Sequence, residues 1–456
     1  MQRPGYHFLP LANWMNDPNG TIFWKGKYHV FYQHNPEGPF WGTMHWGHTV
    51  SEDLVHWKNL PLALSPTSSG PDNEGCWSGC AVINKGIPTI VYTGVRPEVQ
   101  CIATSSDDMV TWHKYSGNPV LGGPPEGLEV DGFRDPCVWN ENDRWCMILG
   151  SGMRGVRGAT LLYESRDLIN WRYIHPLCIG DGNVTGDMWE CPDFFPLNKK
   201  HVLLVSTLGR TLYFIGRYHD NNFTTEARGT TDIGDSFYAG RTLTDGMGRR
   251  ILFGWVKEDR DPISCKISGW AGLLSVPRIL SLCNGSRLRI EPATELKSLR
   301  GRHQRYEDIR LAAGSSFPLD GLEGDALEIS AEFSAEDAQQ FGLKLRCSPD
   351  DSEKTFIAFD KDTRSLQLDT RFSSLDTNVG HGIHGGRMDL FEGNTLTMHI
   401  FIDRSVIEVF ANSMTCLTGR IYPSRPDSIH MGLFARNGRS RLISLDAWEM
   451  RKDGSS

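Results

Sequence analysis

Five short apolar runs punctuate the first part of the chain, at 28–33, 87–93, 145–150, 201–207 and 251–255. Each follows a polar turn, at 25–27, 84–86, 140–143, 198–200 and 245–248. Runs of this length, bounded by Gly, Asn, Asp and Lys, read as strands leaving hairpin turns. A second pattern runs in phase with the first. The heptad Ser-x-Asp-apolar-apolar-x-Trp occurs at 51–57, 106–112 and 165–171, with starts 55 and 59 residues apart. Self-similarity at such a period predicts repeated units of several strands, and five turns predict the five blades of a β-propeller. An open sandwich with evenly spaced turns is the alternative, and three matched heptads speak against it.

From 288 to 302 the chain turns basic and the repeat stops; 292–299 reads as a short linking helix. Beyond it, alternating stretches at 326–333, 341–347, 356–360, 365–370, 396–403, 405–411 and 429–435 predict the strands of a β-sandwich. The expected organisation is an all-β chain: a five-bladed β-propeller over 1–290, a linker over 291–304 and a C-terminal β-sandwich over 305–456. The sandwich is expected to support the propeller or to join two copies into a homo-oligomer, with carbohydrate binding a weaker option.

Composition narrows the class further. With 48 Gly, 24 Pro and 14 Trp in 456 residues, the chain suits turn-rich β-structure and excludes a helical bundle. The net charge of −8 carries no basic block, so neither nucleic acid nor an anionic membrane is expected as partner. No apolar run approaches a membrane span, and no leader with a charged start and apolar middle opens the sequence. Eleven cysteines, an odd number without a Cys-x-x-Cys pair, argue against structural zinc and lean towards a reducing interior. No cofactor or metal is expected: His45 and His48, three apart on a strand, would face opposite ways.

Candidate chemistry sits just before the hairpin turns. The strand entering each turn carries a polar motif: Asn16-Asp17, Trp77-Ser78, Arg134-Asp135, Glu190 with Asp193, and Tyr238. Equivalent positions in symmetric blades face one axis, so residues about 200 apart in sequence should converge. Three of the five motifs place a carboxylate there. Taken singly, each would serve as a turn cap or an arginine's partner; three in register argue for a shared site. That site is either a cation cage or an acid/base pair for glycoside cleavage. Calcium would want six to eight oxygens, usually from a local Asp-rich loop that is missing here. Trp14, Trp41, Trp77, Trp189 and Trp255 would offer faces to a sugar ring. Asn16, Gln33, Ser78, Arg134 and Tyr238 would meet its hydroxyls.

These residues also carry a resemblance. Trp14-Met-Asn-Asp-Pro-Asn-Gly20, Phe133-Arg-Asp-Pro136 and Trp189-Glu-Cys-Pro-Asp193 resemble the signature boxes of family 32 glycoside hydrolases, the invertases, inulinases and levanases. The likeness continues through Gly38-Pro-Phe-Trp-Gly42, Met44-His-Trp-Gly-His48, Trp77-Ser78-Gly79, Phe237-Tyr-Ala239 and Gly269-Trp-Ala-Gly272. It returns at Phe401-Ile-Asp-Arg-Ser-Val-Ile-Glu-Val-Phe-Ala-Asn412. Cys80, beside the Trp-Ser-Gly box, and His34 depart from the pattern. The resemblance implies a retaining β-fructofuranosidase acting on sucrose or fructans, with a propeller followed by a sandwich. It implies Asp17 as nucleophile, Glu190 as acid/base and Asp135 as the holder of ring hydroxyls. Donors around Asp17 should then keep its pKa low, and Trp189 and Phe194 should raise that of Glu190. Arg134 should keep Asp135 charged. The rivals are a fructosyltransferase using the same intermediate, an arabinofuranoside-cleaving relative and a non-catalytic sugar-binding propeller.

Overall fold

The computed structural model describes residues 2–154, 157–388, 390 and 395–451. All five expected hairpins are present: Asn13–Trp24 with Lys27–Asn35, Gly75–Asn84 with Ile87–Val95, Val130–Glu141 with Arg144–Met153, Glu190–Leu197 with Lys200–Thr207, and Phe237–Thr244 with Arg250–Val256. Each opens a separate antiparallel sheet, and the first strands touch one another in ring order, blade 1 to blade 5 and back to blade 1. These five inner strands surround the propeller axis. Blade 1 is completed by the short strand Trp270–Ala271, which pairs in parallel with Asn13 and Trp14 and so ties the end of the propeller back to its beginning.

The Ser-x-Asp repeat has a local physical cause. In blade 1 the Ser51 hydroxyl lies 3.0 Å from Asp53, whose Oδ1 takes the amides of Val55 and His56. Ser165 and Asp167 form the same turn in blade 3, capping Ile169 and Asn170. In blade 2 the matching pair is Ser105 and Asp107, one residue earlier than the heptad at 106–112 predicts. Leu54, Met109 and Leu168 then fall at equivalent positions with φ of 67°, 71° and 68°, and the extra residue is Asp108.

Blade 5 ends at Pro292, and a 3₁₀ turn, Thr294–Leu299, stands where a short helix was expected. The strand Arg300–Leu311 already belongs to the sandwich, so its first residues lie inside the stretch expected to be linker. Two six-stranded sheets form the sandwich. They enclose a core that includes Leu327, Ile329, Phe333, Phe341, Leu343 and Ile357. No helix among the described residues is long and apolar enough to cross a membrane. The eleven cysteines are all free thiols.

Candidate active site

Every inner strand is bulged where its polar motif lies. Register breaks fall between Met15 and Pro18, between Trp77 and Gly79, around Arg134 to Cys137, between Glu190 and Asp193, and between Tyr238 and Arg241. A bulge adds a residue to one strand and re-aims its side chains, so the same device at one level of five blades turns five motifs towards the axis. In blades 3, 4 and 5 the bulge places Asp135, Cys191 and Ala239 at φ of 63°, 47° and 54°. Side chains seldom occupy that left-handed region, and it is least expected immediately before a proline such as Pro136 or Pro192.

The result is an axial cavity of about 230 Å³. Its carboxylates are Asp17, Asp135 and Glu190, from blades 1, 3 and 4. Asn16, Gln33, Ser78, Arg134 and Tyr238 add polar groups, and Trp41, Trp77 and Trp255 supply aromatic faces. Trp41 stands edge-on to Trp77, with ring centroids 6.2 Å apart, and is 57 % exposed at the rim. Trp14 and Trp189 do not face the cavity. The Trp14 indole donates to Asn16 Oδ1 at 2.7 Å and packs edge-on against Trp255, standing behind the site. Trp189 is fully buried against Phe214, in a slot that a Cβ on Gly158 or Gly180 would close.

Three donors hold Asp17: Ser78 Oγ at 2.7 Å and Cys191 Sγ at 3.3 Å on Oδ2, and Asn16 Nδ2 at 3.0 Å on Oδ1. They do not keep its pKa low. Burial pushes the carboxyl up by more than the donors pull it down, and the charge of Glu190 adds to the rise. Asp135 is 4 % exposed, and its Oδ2 accepts the Cys191 amide at 2.8 Å. Its backbone amide donates to Thr93, which bonds Gln100, which in turn reaches the Phe133 carbonyl. Burial raises the Asp135 pKa to about 6 despite Arg134, with Glu190 and Asp17 assisting.

Arg134, expected to keep Asp135 charged, does pull its pKa down, but less than burial raises it, and the Arg134 fork is bonded elsewhere. Nη1 donates to Glu98 at 2.8 Å and Nη2 to Glu190 Oε1 at 3.1 Å. The second Glu190 oxygen accepts the Tyr238 hydroxyl at 2.6 Å. Trp189 and Phe194, expected to desolvate this carboxylate, belong instead to the core between blades. The Glu190 side chain is 36 % exposed.

Three further residues shape the site. Glu98 anchors Arg134 from a loop, and Cys191 links Asp17 to Asp135 through its thiol and amide. Arg241, 2 % exposed, donates to the Pro192 and Asp135 carbonyls and clamps two bulges from below. The Trp-Glu-Cys box flagged Cys191, but neither periodicity nor spacing marks the other two. Of the two histidines, His48 is buried with its ring 3.0 Å from His29, whereas His45 reaches the Thr43 carbonyl.

Known proteins match this chain along nearly its whole length. The model of the glycosyl hydrolases family 32 N-terminal domain matches residues 7–292, and that of the family 32 C-terminal domain matches 295–449. A sucrose-6-phosphate hydrolase of Zymomonas mobilis is 36 % identical, covering 98 % of this chain and 92 % of its own. A levanase of Bacillus subtilis is also 36 % identical, over 99 % of this chain and 70 % of its own. The crystal structure of fructan 1-exohydrolase IIa from Cichorium intybus superposes with a TM-score of 0.92 at 31 % identity, covering 99 % of this chain and 98 % of the other. With both family models matched in order around a propeller and a sandwich, the chain belongs to family 32 of the glycosyl hydrolases.

Proposed function

We propose that the protein is a retaining β-fructofuranosidase that releases terminal β-D-fructofuranosyl residues from sucrose or short fructans. The observation that carries this reading is the division of labour in the axial cavity. Asp17 is fixed by three donors on blades 1, 2 and 4, while Glu190 is held between Arg134 and Tyr238. The relatives' names point to sucrose-6-phosphate, levan and fructan, so the reading stays with the fructosyl unit those molecules share.

In the first step an Asp17 oxygen attacks the anomeric carbon and Glu190 gives its proton to the glycosidic oxygen. The bond to the leaving sugar breaks and an ester joins Asp17 to the fructosyl unit. Among the described residues Oδ1 accepts from the Asn16 amide alone, which makes it the freer oxygen to attack. In the second step Glu190, now a carboxylate, takes a proton from water. The resulting oxygen attacks the same carbon and Asp17 leaves as a carboxylate. Among the described residues nothing hydrogen-bonds Asp135 Oδ1, which leaves it to accept ring hydroxyls as positive charge develops.

Three measurements test this. Asp17→Ala should abolish fructose release from sucrose; unchanged hydrolysis would remove the enzyme reading altogether. Proton NMR of the first-formed fructose should show the substrate's anomeric configuration, and the inverted anomer would exclude the covalent route. Glu190→Gln should slow natural substrates far more than an aryl fructoside with a good leaving group, because protonation matters most when the leaving group is poor. Equal losses would reassign the acid.

A further inference from the structure

A second cavity, of about 390 Å³, opens where the N-terminal segment, the propeller and the sandwich meet, and it shares no lining residue with the axial pocket. Its wall carries five guanidinium groups, those of Arg3, Arg260, Arg346, Arg404 and Arg425, against one carboxylate, Asp325. Two of the arginines are balanced locally: Arg260 by Glu258 at 2.7 Å, and Arg425 by Asp350 and Asp427, each at 2.7 Å. Among the described residues Arg404 has only a loose acidic partner, with Nε 3.5 Å from Asp325.

Arg3 and Arg346 have no carboxylate at ion-pair distance among the described residues. Arg3 donates to the Pro10 carbonyl and lies against the Trp270 ring, 5.8 Å from its centroid. Arg346 is 6 % exposed and donates to two carbonyls, Nε to Ser428 and Nη1 to Arg404, each at 2.7 Å. Its Nη2 makes no protein hydrogen bond among the described residues. Of the acids whose charge reaches it, Asp325, Glu353 and Asp403, none lies at ion-pair distance, and Glu353 is already saturated by Ser424, Ser428 and the amides of Leu375 and Arg425. Burial presses both guanidinium groups below their ordinary pKa, and at Arg346 the charges of Asp325, Glu353 and Asp403 do not make up the difference.

The backbone is bent to put Arg346 there. It sits at φ 49°, where the register of Gln340–Cys347 against His430–Arg436 breaks between Lys344 and Cys347. A buried cation held without an ion pair is costly, and a left-handed φ adds to the cost. A structure that keeps both has a counter-anion to gain. Several guanidinium forks lining one cavity suit the three oxygens of a dianionic phosphoryl group better than the two of a carboxylate. The volume exceeds that of a bare anion and reaches the lower range of sites for small organic ligands. We infer that this cavity binds a small phosphomonoester of sugar-phosphate size, its phosphoryl group held by Arg346, Arg3 and Arg404.

The test uses the full chain and glucose 6-phosphate as probe. Calorimetry should show saturable binding that inorganic phosphate displaces, and no binding of glucose. Arg3→Gln and Arg346→Lys should each weaken it about tenfold, the worth of one charge-assisted contact. Should the buried Arg346→Lys variant fail to fold, Arg3→Gln and the unaltered chain still decide. On the latter, hydrogen exchange should slow at 403–405 and 423–426 and stay unchanged at 132–136 and 188–192. Glucose binding as tightly as its phosphate, no displacement by inorganic phosphate, full affinity in Arg3→Gln, or protection confined to the axial strands would each overturn the site.

Discussion

The propeller axis and the seam between propeller and sandwich are both clusters of carboxylates beside an arginine, yet Asp17 and Asp135 at the axis shift in the opposite direction to Asp403 and Glu408 at the seam. At the seam, His7 bridges Asp403 at 2.9 Å and Glu408 at 3.1 Å, and Arg278 joins Glu408 at 2.6 Å to Asp232 at 2.9 Å. Asp403 also takes the amides of Gly5, Tyr6 and His7, and Glu408 that of Val276. Burial alone would raise both acids, but His7 and these donors bring Asp403 below its ordinary pKa, and Arg278 and His7 do the same for Glu408. At the axis the same burial wins, and Asp17 and Asp135 rise. A carboxylate whose acceptor sites are filled holds the fold together. One left with an open oxygen and a disfavoured charge is available for chemistry.

Two substitutions would break that contrast most sharply. Asp17→Asn should lower kcat by about 10⁴-fold or more. It should also raise the melting temperature at neutral pH, because it removes a charge the folded state disfavours. Glu408→Gln should do the reverse. Leaving Arg278 and His7 short of a partner should cost about 3–5 kcal/mol by denaturant unfolding, with kcat of the folded enzyme retained. If Asp17→Asn destabilised the chain as Glu408→Gln does, the two regions would not differ in kind.

The pH dependence sharpens the same comparison. His7 is driven up to about 9, its two acids outweighing burial. Its contribution is therefore complete below the unfolded value near 6.5 and disappears as pH rises through about 9. The stability gap between the wild type and His7→Gln should be widest below that lower value and close through the upper one. A gap constant from pH 6 to 10 would dissociate His7 from the seam. Asp17 and Asp135 work the other way, gaining stability as pH falls through their raised values. Because the Glu190 charge lifts both Asp17 and Asp135, Glu190→Gln assayed on an activated fructoside should move the acid limb of kcat/KM to lower pH. An unmoved limb would show that the three carboxylates titrate independently.

The axis was the more legible of the two regions, for a physical reason. Propeller symmetry repeats the same local pattern at each turn, so Asp17, Asp135 and Glu190 could be aligned by their distance from a hairpin. The seam has no repeat: His7 and Glu408 lie 401 residues apart, and only packing brings them together. Strands with few apolar positions were also hidden. Arg300–Leu311 has one buried residue, Leu311, and its first residues read as basic linker, whereas Gln340–Cys347 with its buried Phe341, Leu343 and Leu345 reads as strand. Aromatic identity misled where direction mattered. Trp189 adjoins Glu190 in sequence, but the indole enters the glycine slot rather than the cavity.

The smallest effect expected probes the bulges themselves. Asp135 and Cys191 use their left-handed backbones to aim side chains at Asp17 or at each other, so substituting them confounds backbone with chemistry. Ala239 repeats the geometry in blade 5 with only a methyl, its amide bonded to Ser206 and its neighbour Tyr238 bonded to Glu190. Ala239→Gly should relieve about 1–2 kcal/mol of left-handed strain. Against this stand about 0.5–1 kcal/mol of added unfolded-state entropy and about 0.8 kcal/mol for the buried methyl. These terms nearly cancel, so stability should change by less than about 1 kcal/mol, and kcat should fall less than tenfold because the neighbouring strands still hold the bulge. A large loss of activity at unchanged stability would mean that the Ala239 methyl, rather than the strand pairing around it, keeps Tyr238 on Glu190.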